Sequence, residues 1–300
     1  MGLGELAAKL SGVVAIPVTP FGERGAVDTA ALERVLARIV DGGIGVVTPN
    51  GNTGEFYALT TGEARLAVEV TMSAVGSLAT VVVGVGGPVP AAVAGARHAR
   101  RAGAQAIMIH QPVHPYVSAA GWVGYHEAVA KAVPELGVVL YLRSPRIGGT
   151  DLARLREAAP NVIAVKYAVP DPVRFGELVC RAGEFTWIAG LAEPSAPGYF
   201  ALGATGFTSG LCNVLPQLSV RLLGALRAGD GDTVRRLWRL IQPFEGLRSE
   251  NASENNVSVV KEALAKLGVC RRDVRPPSHV LGEAKRRRVA EILRAWEMAG

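Results

Sequence analysis

The chain has 300 residues, of which 49% are hydrophobic and 19% charged, with 36 glycines and a formal net charge of +6. This excludes a disordered or coiled-coil chain and leaves enough apolar mass for a large core, as one barrel or as two domains. No apolar run is long and clean enough to span a bilayer, which excludes a membrane span. Residues 1–10 carry Glu5 and Lys9 around a short apolar patch and do not read as a signal peptide. Cys180, Cys212 and Cys270 are odd in number and widely spaced, against a disulfide framework or zinc site and for a reducing cytoplasm. The basic residues gather at Arg271, Arg272, Lys285, Arg286, Arg287 and Arg288, with no interleaved aromatics. They predict a solvated helix face and no nucleic-acid partner.

In chain order, residues 13–18 predict a first strand, followed by a turn at Thr19-Pro20-Phe21. Asp28 then caps a helix to about residue 40, apolar at Leu32, Val35, Leu36 and Ile39. A second strand is expected at 44–48, and Thr60 with Glu63 forms a capping box for a helix to 75. Strands at 80–85 and 106–109 flank a helix at 90–101. A long loop through His110 and Tyr116 leads to a helix at 118–132. Strands follow at 137–141, 162–165, 186–189 and 206–208, with helices at 151–158, 172–181 and 195–202 between them. Strand and helix thus alternate eight times at a spacing of roughly 25–30 residues, the cadence of a (β/α)8 TIM barrel in the α/β class. A doubly wound open sheet is the competitor, but Gly84-Val85-Gly86-Gly87-Pro88 lacks the spacing of a dinucleotide fingerprint. Four more helices, at 215–228, 232–244, 257–267 and 283–298, follow the last strand. The expected division is a barrel over 1–214 and a C-terminal helical extension over 215–300, covering one side of the barrel or forming an oligomer surface.

Candidate chemistry lies at the C-terminal ends of the strands, where such barrels carry their sites. Alternation along Val162-Ile163-Ala164-Val165-Lys166 sends Lys166 inward as its strand runs out. Desolvation there would lower the pKa of its amine toward reactivity, whereas a lysine that snorkels to water would do nothing. Tyr141 ends the fifth strand and points inward by the same rule. Lysine and tyrosine in one pocket suit carbinolamine and Schiff-base chemistry, the amine attacking a keto group and the phenol shuttling protons. Gly51-Asn52-Thr53-Gly54-Glu55 follows the second strand and could hold a carboxylate on its amides and hydroxyl. Small residues at 206–210 leave room for a ligand.

Other features carry less. His110 and His114 have a metal-like spacing, but Pro112 and Pro115 preclude the helix that would align them, so they read as loop histidines beside a pocket, contacting substrate or packing. Glu55 reads as a partner for loop amides, and Glu193 as either a pocket residue or a helix cap. No Gly-x-Ser-x-Gly elbow supports a serine hydrolase.

Gly51-Asn52-Thr53-Gly54-Glu55, Tyr141 before Pro145 and Arg146, Lys166 after its apolar strand, and Gly203-Ala204-Thr205-Gly206-Phe207-Thr208-Ser209 with Asn213 and Pro216 together resemble the dihydrodipicolinate synthase/N-acetylneuraminate lyase family, in order and spacing over nearly the whole chain. The resemblance implies a Schiff base on Lys166, with Tyr141 as proton shuttle. It puts Asn52 and Thr53 at the keto-acid carboxylate and Gly190 and Thr208 along the pocket. It implies lyase, aldolase or dehydratase chemistry on a 2-keto acid, no metal or organic cofactor, and a homotetramer built as a dimer of dimers.

Departures from the family pattern bear on substrate. Members that make dihydrodipicolinate usually have Thr-Thr where this chain has Asn52-Thr53, and a relay tyrosine where alignment puts His114. The usual Tyr-Asn pair is Tyr141-Leu142, and Tyr141 with Arg143 is similar to the branch that dehydrates or cleaves 2-keto-3-deoxy sugar acids. Arg146 resembles the synthase arginine that holds the second substrate's carboxylate, which favours condensation of pyruvate with an aldehyde. The expectation is therefore a 2-keto-3-deoxy sugar acid dehydratase or aldolase. The alternatives are a synthase and a non-catalytic keto-acid binder.

Overall fold

A computed structural model describes residues 2–298. Its elements are α1 (Leu3–Leu10), β1 (Val13–Ala15), α2 (Thr29–Asp41), β2 (Val46–Val47), α3 (Thr61–Val75), β3 (Thr80–Val85), α4 (Val89–Arg101), β4 (Ala106–Ile109), α5 (Ala119–Lys131) and β5 (Gly137–Leu142). They continue as α6 (Gly149–Ala158), β6 (Val162–Tyr167), α7 (Pro172–Arg181), β7 (Thr186–Ala189), α8 (Ala192–Phe200), β8 (Gly206–Ser209), α9 (Pro216–Ala228), α10 (Gly231–Ser253), α11 (Asn256–Lys266) and α12 (Glu283–Met298). The eight strands close a barrel in chain order, and the ladders from β2–β3 through β7–β8 are parallel. This is the expected (β/α)8 barrel with further C-terminal helices.

Boundaries differ where side chains replace ladder bonds. The first strand, expected over 13–18, ends at Ala15. Beyond it Pro17 has no N–H, and the Asn213 side chain accepts from Val18 N and donates to Ile16 O, each at 2.9 Å. The sequence does not announce α1. Leu3, Leu6 and Leu10 recur at helical spacing over only eight residues, and α1 buries Leu6 and Leu10. α10 runs past the expected end at 244, and its last residues leave helical geometry, with left-handed φ of 47°, 58° and 72° at Asn251, Ala252 and Ser253.

Contacts divide the chain into two compact units. One takes the residues up to Val14, Gly45–Thr48 and Ala79–Thr208; the other takes Ala15–Ile44, Pro49–Leu78 and the chain from Ser209 onward. The helices of 215–300 thus cluster with α2 and α3.

In the first unit nearly every strand residue is buried, as parallel strands covered on both faces require. Tyr167, Phe175, Trp187 and Tyr199 form an aromatic cluster with ring centroids 5.0–5.8 Å apart. Tyr199 Oη donates to Val169 O and Tyr167 Oη to Asp171 O. Because neighbouring strand side chains point to opposite faces, anchoring Tyr167 in this cluster commits Lys166 to the barrel interior. Asn161, just before β6, donates to the carbonyls of Ala130, Val133 and Leu136, satisfying groups that the end of α5 leaves open. On α5, His126 stacks on Trp122 at 3.8 Å and its Nδ1 donates to Trp122 O at 2.7 Å. Burial pushes its pKa down to about 4, against the opposing effect of that hydrogen bond.

In the second unit the Lys261 ammonium is fully buried, pairs with Glu55, donates to Asp273 O at 2.8 Å and lies 4.0 Å from the Phe21 ring centroid. Glu55 also accepts from Arg275 N at 2.8 Å, and Arg275 reaches Glu63, the capping-box residue of α3.

Two stability experiments follow from these buried groups. Lys261→Met strands the Glu55 carboxylate without its cation and should lower unfolding free energy in chemical denaturation by about 3–5 kcal/mol. Adding Glu55→Leu should recover much of that loss, because no lone charge then remains. For His126, the unfolded chain takes up a proton near pH 6.5 that the native state refuses until about pH 4. Stability should therefore fall as pH drops across that window, and His126→Gln should flatten that part of a pH–melting curve.

Candidate active site

β6 carries Lys166 in register with Tyr141 of β5 on one side and Ile188 of β7 on the other. The amine is 4% exposed and its Nζ stands 4.2 Å from the Tyr141 ring centroid. Among the described residues no carboxylate pairs with it. Burial first, and the Arg143 cation second, push its pKa down to about 7. An amine in that condition is substantially neutral at physiological pH and can attack a carbonyl carbon.

The other expected residues of this unit fall into two groups. Arg143 and Gly190 lie close to the lysine, just past β5 and β7, and Thr208 is on β8, one strand beyond β7. The Arg143 guanidinium is 5.9 Å from the Tyr141 ring centroid, so lysine, phenol and arginine form one constellation. Gly190 donates its N–H to Tyr167 O at 2.7 Å, and a Cβ there would come within 3.0 Å of Lys166 Cγ. Only glycine lets the chain after β7 run so close to the lysine stem. Thr208 is buried on β8. His114 and Arg146 form the second group. His114 is exposed, with Nδ1 accepting from Tyr116 N at 3.1 Å. Arg146 is exposed, with its backbone N–H on Ser144 Oγ at 3.3 Å.

Asn52 and Thr53 belong to the second unit, in a loop bracketed by left-handed Asn50 and Glu55 (φ 60° and 58°). Thr53 is buried, and Arg248 Nη2 lies 3.5 Å from its Oγ1. That guanidinium is itself buried, paired with Glu245 at 2.6 Å and bonded to the Asn256 side chain at 2.6 Å. A Cβ on Gly210 would fall 2.3 Å from Arg248 Nη2, so the glycine leaves the arginine its place. Nothing in the sequence singles out Arg248: Glu245, three positions away, reads as an ordinary helix pair, and Thr53 is 195 residues away.

The sequence reads His110 as a loop histidine beside a pocket, contacting substrate or packing. It is 1% exposed, immediately after β4, with its ring 6.0 Å from that of Tyr141. The available signal was strand register rather than its spacing to His114. Glu193 is fully buried in the first turn of α8, where a carboxylate meets the positive end of the helix. No group of three or more His, Cys, Asp or Glu among the described residues could hold a metal ion, and no helix among them is long and apolar enough to cross a membrane.

Residues 9–296 match the model of the dihydrodipicolinate synthetase family. A probable 5-dehydro-4-deoxyglucarate dehydratase of Polaromonas naphthalenivorans (strain CJ2) is 30% identical over 290 residues, 95% of each chain. A 4-hydroxy-tetrahydrodipicolinate synthase of Sorangium cellulosum (strain So ce56) is 33% identical over 294 residues, 96% of each. Among solved structures, dihydrodipicolinate synthase from Bacillus clausii superposes with a TM-score of 0.94 at 40% identity, covering 97% of this chain and 99% of that one. With the family model spanning almost the whole barrel and its helices, this chain belongs to the dihydrodipicolinate synthetase family.

Proposed function

We propose that the chain is a Schiff-base lyase that dehydrates or cleaves a 2-keto-3-deoxy sugar acid through Lys166. Family membership makes it a lyase; the lysine's part and the substrate are the proposal. The observation that carries it is a buried amine, unpaired with any described carboxylate, against the face of a phenol. The neutral amine adds to the C2 keto carbon, and the carbinolamine loses water to give an iminium. That cation acidifies the C3 proton, whose removal gives an enamine, and the enamine can expel a C4 hydroxyl as water. Alternatively, removal of the C4 hydroxyl proton lets the C3–C4 bond break, with its electron pair passing to the iminium. Cleavage leaves an enamine, which a proton at C3 returns to the iminium; in either branch hydrolysis of the product iminium restores the lysine. Tyr141 is assigned the proton transfers, Asn52 and Thr53 the keto-acid carboxylate, and Arg143 the remaining hydroxyl or carboxylate groups. His114 and Arg146, on exposed loops, are assigned distal parts of the substrate, and Gly190 and Thr208 line the site. The dehydratase relatives support this substrate class.

A second reading, condensation of pyruvate with an aldehyde, is favoured by the synthase relative and by the synthase structures. A homotetramer and a cytoplasmic location complete the proposal, the latter supported by three free cysteines.

Borohydride reduction in the presence of pyruvate or 2-keto-3-deoxy acids should leave a mass adduct on Lys166, found by peptide mapping and lost in Lys166→Met. The acid that traps best separates the sugar-acid reading from the synthase reading; well-folded protein that traps none would overturn both. The trapping rate should rise with the neutral fraction of the amine, with a midpoint at about pH 7. Arg143→Gln removes a cation that opposes protonation, so its midpoint should move to higher pH.

A further inference from the structure

His110 lies one step beyond the β4–β5 ladder, in which Met108 faces Val139 and Ile109 faces Leu140. Its N–H still donates to Val85 O at 2.8 Å, so the backbone holds strand geometry there. Carrying the register forward one residue sets His110 opposite Tyr141, and Tyr141 is opposite Lys166. The three side chains therefore form one row across β4, β5 and β6. The ring contact between His110 and Tyr141 and the approach of Lys166 to the Tyr141 ring agree with that row. The next residue, Gln111, is tied elsewhere: its Oε1 accepts from Trp122 Nε1 at 3.2 Å and from Arg143 N at 3.4 Å. This tether fixes the backbone from which His110 projects.

We propose that His110 is the proton-relay partner of Tyr141, a positioning residue that acts on the substrate through the phenol. The inference rests on the Schiff-base reading above. A phenol has an ordinary pKa near 10 and is a poor base at neutral pH unless a neighbour takes its proton as it accepts another. An imidazole is suited to that exchange. As the C3–H bond of the iminium breaks, its electron pair becomes the C2–C3 double bond of the enamine and the iminium nitrogen becomes neutral. The C3 proton passes to Tyr141 Oη while the phenol's own proton passes to the His110 ring, which ends as imidazolium. The positive charge moves from iminium to imidazolium, and the reverse transfer returns both protons.

The test separates Schiff-base formation from C3 proton transfer, with pyruvate as the probe. Borohydride trapping on Lys166 reads the first, and deuterium incorporation into the pyruvate methyl group in D2O reads the second. His110→Leu and His110→Gln should keep trapping at saturating pyruvate within about 3-fold and lose exchange by about 100-fold or more, the range of a lost acid–base group. His110→Gln preserves a hydrogen-bonding side chain, so exchange retained in that variant would mean packing alone and overturn the proposal. Parallel loss of trapping and exchange in both variants would also overturn it, as would wild-type enzyme that traps pyruvate but exchanges no methyl protons. Failure of the wild type to trap any keto acid would instead bring down the Schiff-base reading, and this inference with it. Should His110→Leu not fold, His110→Gln and His110→Asn decide the matter in the same two assays.

Discussion

An amine carried into the interior of a parallel barrel must find an anion or give up its proton, because charge without a partner is costly away from water. This chain contains both outcomes. On α11, Lys261 is buried against Glu55, with a carbonyl and an aromatic face completing its surroundings; burial lowers its pKa, and the Glu55 pairing opposes that shift. Lys166 is buried among apolar strands with a cation, Arg143, as its charged neighbour. The same residue type is therefore ion-paired in one unit and without a described carboxylate partner in the other.

The position of Lys166 is imposed from outside the barrel. Tyr167 is held by Phe175 and Tyr199, with Trp187 packed on Phe175, and the pleat then gives Lys166 no choice of face. A one-residue slip of β6 would put an aromatic ring inside and an ammonium into the cluster. Both are penalised, so register is specified twice. Gly190 adds a steric condition, since a side chain there would meet the lysine stem.

Much of this is legible in the sequence. The alternation of strands and helices points to the barrel, and period-two reasoning along β5 and β6 is enough to turn Tyr141 and Lys166 the same way. Illegible features are those made by partners distant in sequence. The end of β1 is decided by Asn213, nearly two hundred positions on, which takes over hydrogen bonds that a local reading gives to a strand neighbour. Arg248 reaches Thr53 by the same kind of long connection. His110 is visible in the sequence through its spacing to His114, but the informative relation is its register with β5. A histidine just past a strand end takes its meaning from the neighbouring strand, and sequence order alone does not say which residue that is.

The division between buried row and exposed loop also bears on how such a barrel changes substrate. Lys166 is laddered to β5 and β7, Tyr141 to β6, and His110 N–H donates to Val85 O, so the backbone sets their spacing. Under the proposed function, substitution among them would change the reaction. His114 and Arg146 sit on exposed loops after β4 and β5, with hydrogen bonds only to residues two positions away. Substitution there costs the fold little, and under the proposed function it would alter what surrounds the distal part of a bound acid. Arg143 stands between the two classes, exposed yet 5.9 Å from the phenol and felt by the lysine. Under the proposed function, a residue in that position would couple selectivity to nucleophile strength, because any exchange that removes its charge also returns protons to Lys166.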